Sequence, residues 1–302
     1  KVSDQASALA VTAEKGTGLS FHVQVGELEA TDIATKSGVF TRLAIPGFHT
    51  SMIEGAPELP QMNRLVAVPA GATARVSVRN VVTTRVKLAD YGITRPIFPA
   101  QPSVSKSADL DNLPFVQDMA AYMQKVVSRE PATILPQGRL RAMDFARLEI
   151  APVTWYPTEN EIEVVTSMDV DVAFDNVDKS YATDLIARTY SPFFESLYAG
   201  MAGTKAFHDA YPDRVGDVVT MVIVTPPAFA SQMADFVAWK TQRGFRVIMA
   251  VTGTPAVGTT TTSIEAYLNG LYNNATPELP APSFVLFVGD VAELPTFQEG
   301  GD

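Results

Sequence analysis

Residues 220–225, Thr220-Met221-Val222-Ile223-Val224-Thr225, form an almost wholly apolar run of six, the composition of a parallel strand covered on both faces. Outward from it, Phe229, Met233, Phe236 and Val237 recur at i, i+4, i+7 and i+8, which defines one helical stripe, and Gly244 supplies a C-terminal stop. Phe245–Val251 reads as a second strand, 262–274 as a second helix with Ile264, Leu268 and Leu271 inward, and 283–288 as a third strand. The order is βαβαβ, and right-handed crossovers then force a parallel sheet. Three strands leave a raw apolar edge, so this α/β unit is expected to be incomplete at Asp302.

Upstream the rhythm differs. Across 19–174, short β-branched runs are closed by Gly, Pro, Asn or Asp clusters, as in an all-β domain. Residues 21–25 alternate with period two, and 72–79 put small or branched side chains on one face and arginines on the other. Pro157-Thr158-Glu159-Asn160 turns a strand at 153–156 into 161–165 and then 169–172, a hairpin with a continuing strand. Residues 100–130 break the pattern with Pro102, serines, Asp109, Asp111 and a short helix expected within 116–127. Connections this long are functional or mobile. Near Tyr190 the chain turns aromatic and small, then polar and basic through 203–216, which reads as a linker. The fold class is therefore α+β multidomain: an all-β sandwich in 1–189, a linker in 190–217 and the first βαβαβ part of an α/β domain in 218–302.

Composition narrows the chemistry. A length of 302 residues suits two folding units. There is no cysteine, which excludes disulfide scaffolds, thiolate metal sites and a cysteine nucleophile within these residues. His22, His49 and His208 lie too far apart to share a helical face as zinc ligands, and His22, Asp171 and Asp178 have no triad spacing. The 253–258 stretch, GTPAVG, lacks the following Lys-Ser/Thr of a phosphate cradle, so no organic cofactor is expected. With 33 acidic and 23 basic residues and a net charge of −10, the chain repels nucleic acid and anionic lipid. No window approaches the ~18–20 apolar residues of a membrane span. The start, Lys1-Val2-Ser3-Asp4, without Met or an apolar signal core, fits a trimmed or processed beginning.

Two stretches carry a family resemblance: Asp235-Phe236-Val237-Ala238-Trp239-Lys240 with Gly244-Phe245, and Phe284-Val285-Leu286-Phe287-Val288-Gly289-Asp290 with Leu294-Pro295. This combination resembles the opening of the catalytic domain of the gingipain family of cysteine peptidases, whose members carry a DFVxWKxxxG helix end and a VLLVGDxxxIP strand end at the same separation. Gly55-Ala56-Pro57-Glu58-Leu59-Pro60, the approach Val68-Pro69-Ala70-Gly71-Ala72, and the hairpin opening Ala151-Pro152-Val153-Thr154-Trp155-Tyr156-Pro157 are similar to the family's propeptide. The resemblance implies a β-sandwich prodomain ahead of a caspase-like, flavodoxin-like α/β domain. It also implies a secreted zymogen, extracellular or periplasmic, that becomes a cysteine endopeptidase. The His–Cys dyad such a peptidase uses is expected beyond the point matching Asp302. The remainder of the catalytic domain is then this chain's partner, and proteins or peptides are the substrates. The rival expectation is a non-catalytic member serving as a binding or secretion-assembly module.

The resemblance also nominates residues. Family prodomains push a basic side chain into the specificity pocket a few residues upstream of an aliphatic-Pro-aromatic step, and here Lys106 precedes Leu113-Pro114-Phe115. A pocket built for a cation is well blocked by a tethered cation, which loses little association entropy. Arg95 is the alternative, handicapped by the following Pro96. Lysine or arginine would then be the preferred substrate residue. Asp290, at the carboxyl end of the third strand, matches a family calcium ligand, and hard cations take such oxygens; otherwise it caps the next turn. Glu293 and Glu299 read as solvated loop acids, Trp239 as packed at its helix end and Lys240 as exposed. Lys205 and Arg214, in the basic-punctuated linker, are candidate maturation cleavage points.

Overall fold

Period-two alternation organises the first unit of the computed structural model, which describes residues 2–4, 6–109, 112–212 and 218–297. In chain order the strands are β1 (Ala8–Lys15), β2 (Gly18–Gln24), β3 (Glu29–Thr35), β4 (Gly38–Ala44), β5 (His49–Thr50), β6 (Pro60–Val68) and β7 (Thr73–Lys87). After a long connection holding α1 (Met119–Tyr122) come β8 (Ala132–Leu140), β9 (Met143–Ile150), β10 (Val153–Tyr156) and β11 (Glu161–Asp175). They build two antiparallel sheets, β1-β2-β11-β10 with β7 along the other side of β11, and β5-β6-β9-β8, while β3 and β4 pair as a separate hairpin. Leu19, Phe21 and Val23 of β2 and Met168, Val170 and Val172 of β11 meet Val66, Val68, Leu148 and Ile150 of the second sheet in one core. Each such side chain contributes about 1.5–3 kcal/mol by leaving water.

β11 is a single strand of 15 residues that joins the hairpin arm expected at 161–165 to its continuation at 169–172. β10 pairs only with its first part, and β2 takes over from Ser167. At the hand-over the ladder shifts register, but Val165 N–H donates to Pro152 O and Val25 N–H to Thr166 O, so these groups stay paired and the strand continues.

The outward face of β11 is acidic and faces arginines of β7. Arg79 pairs with Asp171 and Asp169, Arg75 with Asp175, and Arg85 with Glu161 and Glu159. Hydrogen bonds from His22 and Asn80 hold Asp169 below the usual carboxylate range, as Arg79 does for Asp171 and Arg75 for Asp175. A depressed folded-state pKa stabilises above the unfolded value and is lost as pH falls through the folded one. Melting temperature should therefore decline as pH is taken below about 4. Glu58, pushed up by burial against the pull of Arg42, acts in the opposite direction. A series of thermal melts with Asp171→Asn checks this: the variant should show a flatter acid limb, and each exposed pair should matter less in high salt.

Residues 190–217, expected as a linker, are over their described part mostly folded. Following α2 (Lys179–Thr189), Pro192–Phe194 makes a 3₁₀ turn, and α3 (Glu195–Tyr198) and α4 (Thr204–Ala210) come next. Tyr198, Met201 and Phe207 are buried with Met143 and Ile186. Ala67 N–H donates to Ala202 O and Ala202 N–H to Leu65 O, so the segment is laced along β6. Its aromatic residues supply the apolar area that a solvated linker would lack.

In the second unit β12 (Val219–Thr225) is buried at every position and lies between β13 (Phe245–Val251) and β14 (Phe284–Phe287), all parallel. α5 (Pro227–Ala230) and α6 (Ala234–Gln242) connect β12 to β13, and α7 (Thr261–Asn273) connects β13 to β14. The stripe expected as one helix is divided among α5, a 3₁₀ turn at Ser231–Met233 and α6. Trp239 is not packed: it is 49% exposed, lying on Phe236 of its own helix with Lys240 over its ring. A three-stranded sheet offers too little surface to cover α6, in which no residue is fully buried.

Candidate functional site: a pinned loop carrying Lys106

The connection from β7 to β8 is tied down before it projects. Gly55 N–H donates to Ala100 O (2.8 Å), Asp118 N–H donates to Gly55 O (2.9 Å) and Ala100 N–H donates to Ala56 O (2.9 Å), so one glycine joins both arms of the loop. Gly55 has φ +73°, and a Cβ there would stand 2.8 Å from Asp118 N. Next along, the Gln101 amide donates to Val116 O (2.8 Å) and Pro99 O (3.0 Å) and accepts from Val116 N–H (3.0 Å). Phe115 closes the base against Phe40 and Phe98, ring centres 5.2 and 6.2 Å away. Beyond the loop, the Asp118 carboxylate caps α1, Tyr122 donates to Ile97 O and stands edge-on to Trp155, and Val127 exchanges two backbone bonds with Trp155. The long connection is therefore anchored at its base, and 102–109 and 112–114 stand out from it.

At its outer part Ala108 N–H donates to Ser105 O (3.0 Å) and Ser107 N–H to Ser105 Oγ (3.3 Å), a tight turn with Lys106 at its corner. Lys106 is exposed and makes no ion pair among the described residues. Lys36, Val104, Leu113 and Phe115 line a hollow of about 250 Å³ beneath the loop. Asp109 is tied to Asn112, and Asp111 lies outside the described residues. Such a turn has no chemistry of its own; it can present a cation to a concave acidic partner at low entropic cost.

Arg95 is placed differently. It is exposed, but Pro96 O immediately after it accepts Thr41 N–H and Phe98 N–H donates to Thr41 O, so its segment lies along β4. Lys205 lies within α4, paired with Asp209 one turn on and two residues before the buried Phe207. Cleavage there requires opening a helix, unlike the exposed linker expected. Arg214 and Glu299 lie outside the described residues.

Asp290 follows β14 beside an open groove of about 540 Å³ that Glu265, Phe287, Leu294 and Phe297 also line. Its carboxylate accepts Val291 N–H (2.7 Å), and the Glu293 carboxylate accepts Asp290 N–H (2.9 Å). Among the described residues no group of three or more His, Cys, Asp or Glu comes together. Two carboxylates already engaged with backbone amides fall short of the roughly six to eight oxygens calcium takes, so these residues alone do not form such a site.

Sequence spacing also missed the pair His22–Asp169, Nδ1 to Oδ1 2.8 Å, with Ser20 donating to Asp171 two residues along. The signal was the register between β2 and β11, which sets these residues opposite one another. Ser20 turns to Asp171, so its hydroxyl is engaged away from the imidazole.

Comparison with known proteins places both units. Residues 5–187 match the family described as Propeptide_C25, and residues 215–302 match Peptidase family C25. Lys-gingipain from Porphyromonas gingivalis is 33% identical over 265 residues, 87% of this chain and 15% of that protein. Gingipain R2 from the same species is 23% identical over 275 residues, 90% of this chain and 36% of that protein. The chain thus spans about 15% of the length of the Lys-gingipains it matches. A structure giving insight into the zymogenic latency of gingipain K from Porphyromonas gingivalis aligns with TM-score 0.55 at 32% identity, covering 58% of this chain and 97% of that one. A complex of Porphyromonas gingivalis RgpB pro- and mature domains is alike in fold, TM-score 0.51 at 19% identity, covering 64% of this chain and 96% of that one.

Proposed function

This chain belongs to peptidase family C25, joining that family's propeptide to the start of its peptidase region, and from that premise we propose that it keeps a gingipain-like cysteine endopeptidase latent by seating Lys106 in the pocket that selects a substrate cation. The observation that carries this reading is an exposed lysine with no ion pair among the described residues, at the corner of a hydrogen-bonded turn, on a loop pinned at both ends. Near the loop base Met52, Ile53, Met119 and Met123 are all more than half exposed, an apolar surroundings suited to a partner surface. Identity to the Lys-gingipains (33%) above that to gingipain R2 (23%) supports cleavage after Lys ahead of Arg.

The same reading includes a caspase-like completion of the α/β unit by the rest of the peptidase domain, protein or peptide substrates, and residence outside the cytoplasm. Without cysteine these 302 residues hold no thiolate nucleophile, so the chain by itself is expected to be inactive. Calcium, if the family's ion binds at Asp290, would supply structural charge and needs at least about four oxygens from elsewhere.

The test uses the full-length protein. Peptide substrates with Lys, Arg or an apolar residue before the scissile bond are assayed before and after the propeptide is released. Activity should emerge on release, be highest for Lys and disappear on thiol alkylation. A protein that stays inert after release overturns the peptidase reading.

A further inference from the structure

The turn between β8 and β9 is two residues, Arg141-Ala142, and Arg141 takes φ +59°, the left-handed region that favours Gly or Asn. A long charged side chain is a poor choice for that position, and this one is also buried, 7% exposed. No carboxylate pairs with it among the described residues. Instead its guanidinium fans over backbone carbonyls: Nε donates to Thr189 O (2.8 Å), Nη1 to Pro282 O (2.7 Å) and Nη2 to Ala281 O (3.1 Å), with Ser283 Oγ at 3.5 Å. Phe194 and Tyr272 stand beside it at 5.1 and 5.6 Å. Burial lowers its pKa, and a guanidinium stays charged in proteins.

Strain at a turn is retained where surrounding contacts over-determine it. Here two of the three carbonyls and one ring lie in the other unit: Ala281, Pro282 and Ser283 lead into β14 and Tyr272 is on α7, while Thr189 at the end of α2 and Phe194 hold the guanidinium from its own side. Neighbouring contacts share the direction. Ser283 Oγ donates to Ser191 Oγ (2.9 Å), Ala281 N–H donates to Arg188 O (2.9 Å), and Phe193 lies 5.1 Å from Phe284 and 5.8 Å from Phe245.

We propose that Arg141 is the anchor residue of the interface by which the propeptide unit grips the peptidase unit. The grip takes hold at the amino end of β14. Open α/β sheets place ligands at the carboxyl ends of their strands, so this contact is made at the opposite end of β14. Only a guanidinium can hold three carbonyls in one plane through separate N–H groups; an ammonium reaches fewer at that geometry.

The experiment places a site-specific protease sequence between Pro212 and Val218 of the full chain, cuts it, and follows association of the two pieces by size-exclusion chromatography over a dilution series. The main variant is Arg141→Gly, which removes the side chain and suits the positive φ. The uncut variant should melt no lower than the parent, while its cut pieces should associate about 100-fold more weakly. Equal association in Arg141→Gly, or separation of the cut parent itself, overturns the proposal. Should Arg141→Gly not fold, Arg141→Lys decides: about tenfold weaker association supports the anchor, and parental association refutes it.

Discussion

Lys106→Ala in the full-length zymogen should raise the activity of the uncut protein toward basic substrates by roughly 30-fold to several thousand-fold, because truncating one member of a desolvated charge pair costs about 2–5 kcal/mol. The propeptide's own stability should hardly move. Lys106 is exposed at a turn corner whose hydrogen bonds are made by Ser105, Ser107 and Ala108, and substitutions at such surface positions fall within about 0.5 kcal/mol. Latency and melting temperature are thus predicted to separate, which distinguishes a plug from a structural residue. Arg95→Ala serves as the comparison and should leave latency intact, since its segment lies along β4. Unchanged latency in Lys106→Ala would sink the plug while leaving family membership untouched.

Gly55→Ala should act on both quantities. A left-handed conformation costs an L side chain about 1–2 kcal/mol. The new Cβ would also stand 2.8 Å from Asp118 N, displacing the bond that closes the loop, and a lost hydrogen bond adds about 0.5–1.5 kcal/mol. The sum is about 1.5–3.5 kcal/mol, a fall in melting temperature of roughly 3–14 °C for a unit of this size. Because Gly55 links the two arms that carry Lys106, the zymogen should also leak activity, about tenfold, less than in Lys106→Ala. Calorimetry and the zymogen assay on one preparation check the pair of effects. A lowered melting temperature with full latency would mean that Lys106 is presented independently of the loop base.

Local pattern made much of the architecture legible. The apolar run in β12, the alternation along β11 and the Pro-Thr-Glu-Asn turn between β10 and β11 depend on neighbours within a few residues, so period alone identifies them. Residues 190–212 depart from the linker expected of 190–217 for the same reason. Their polar, basic composition resembles a linker, and the pocket at the end of the sandwich that takes Tyr198 and Phe207 is built from Met143 and Ile186, remote in sequence. Lys106 could be singled out from the spacing to Leu113-Pro114-Phe115, whereas the Gln101–Val116 clamp that presents it depends on side-chain direction.

Sequence by itself determined the two kinds of unit, their order, the family and the absence of a thiol, because each is written in local period, motif or composition. Tertiary structure alone decided that Gly55 meets Asp118, that His22 faces Asp169, and that Arg141, a turn residue with every sequence reason to face water, ends among the carbonyls before β14. Those meetings join residues up to 147 positions apart. They are set by strand register and by the packing of one unit on another, and no local pattern encodes either.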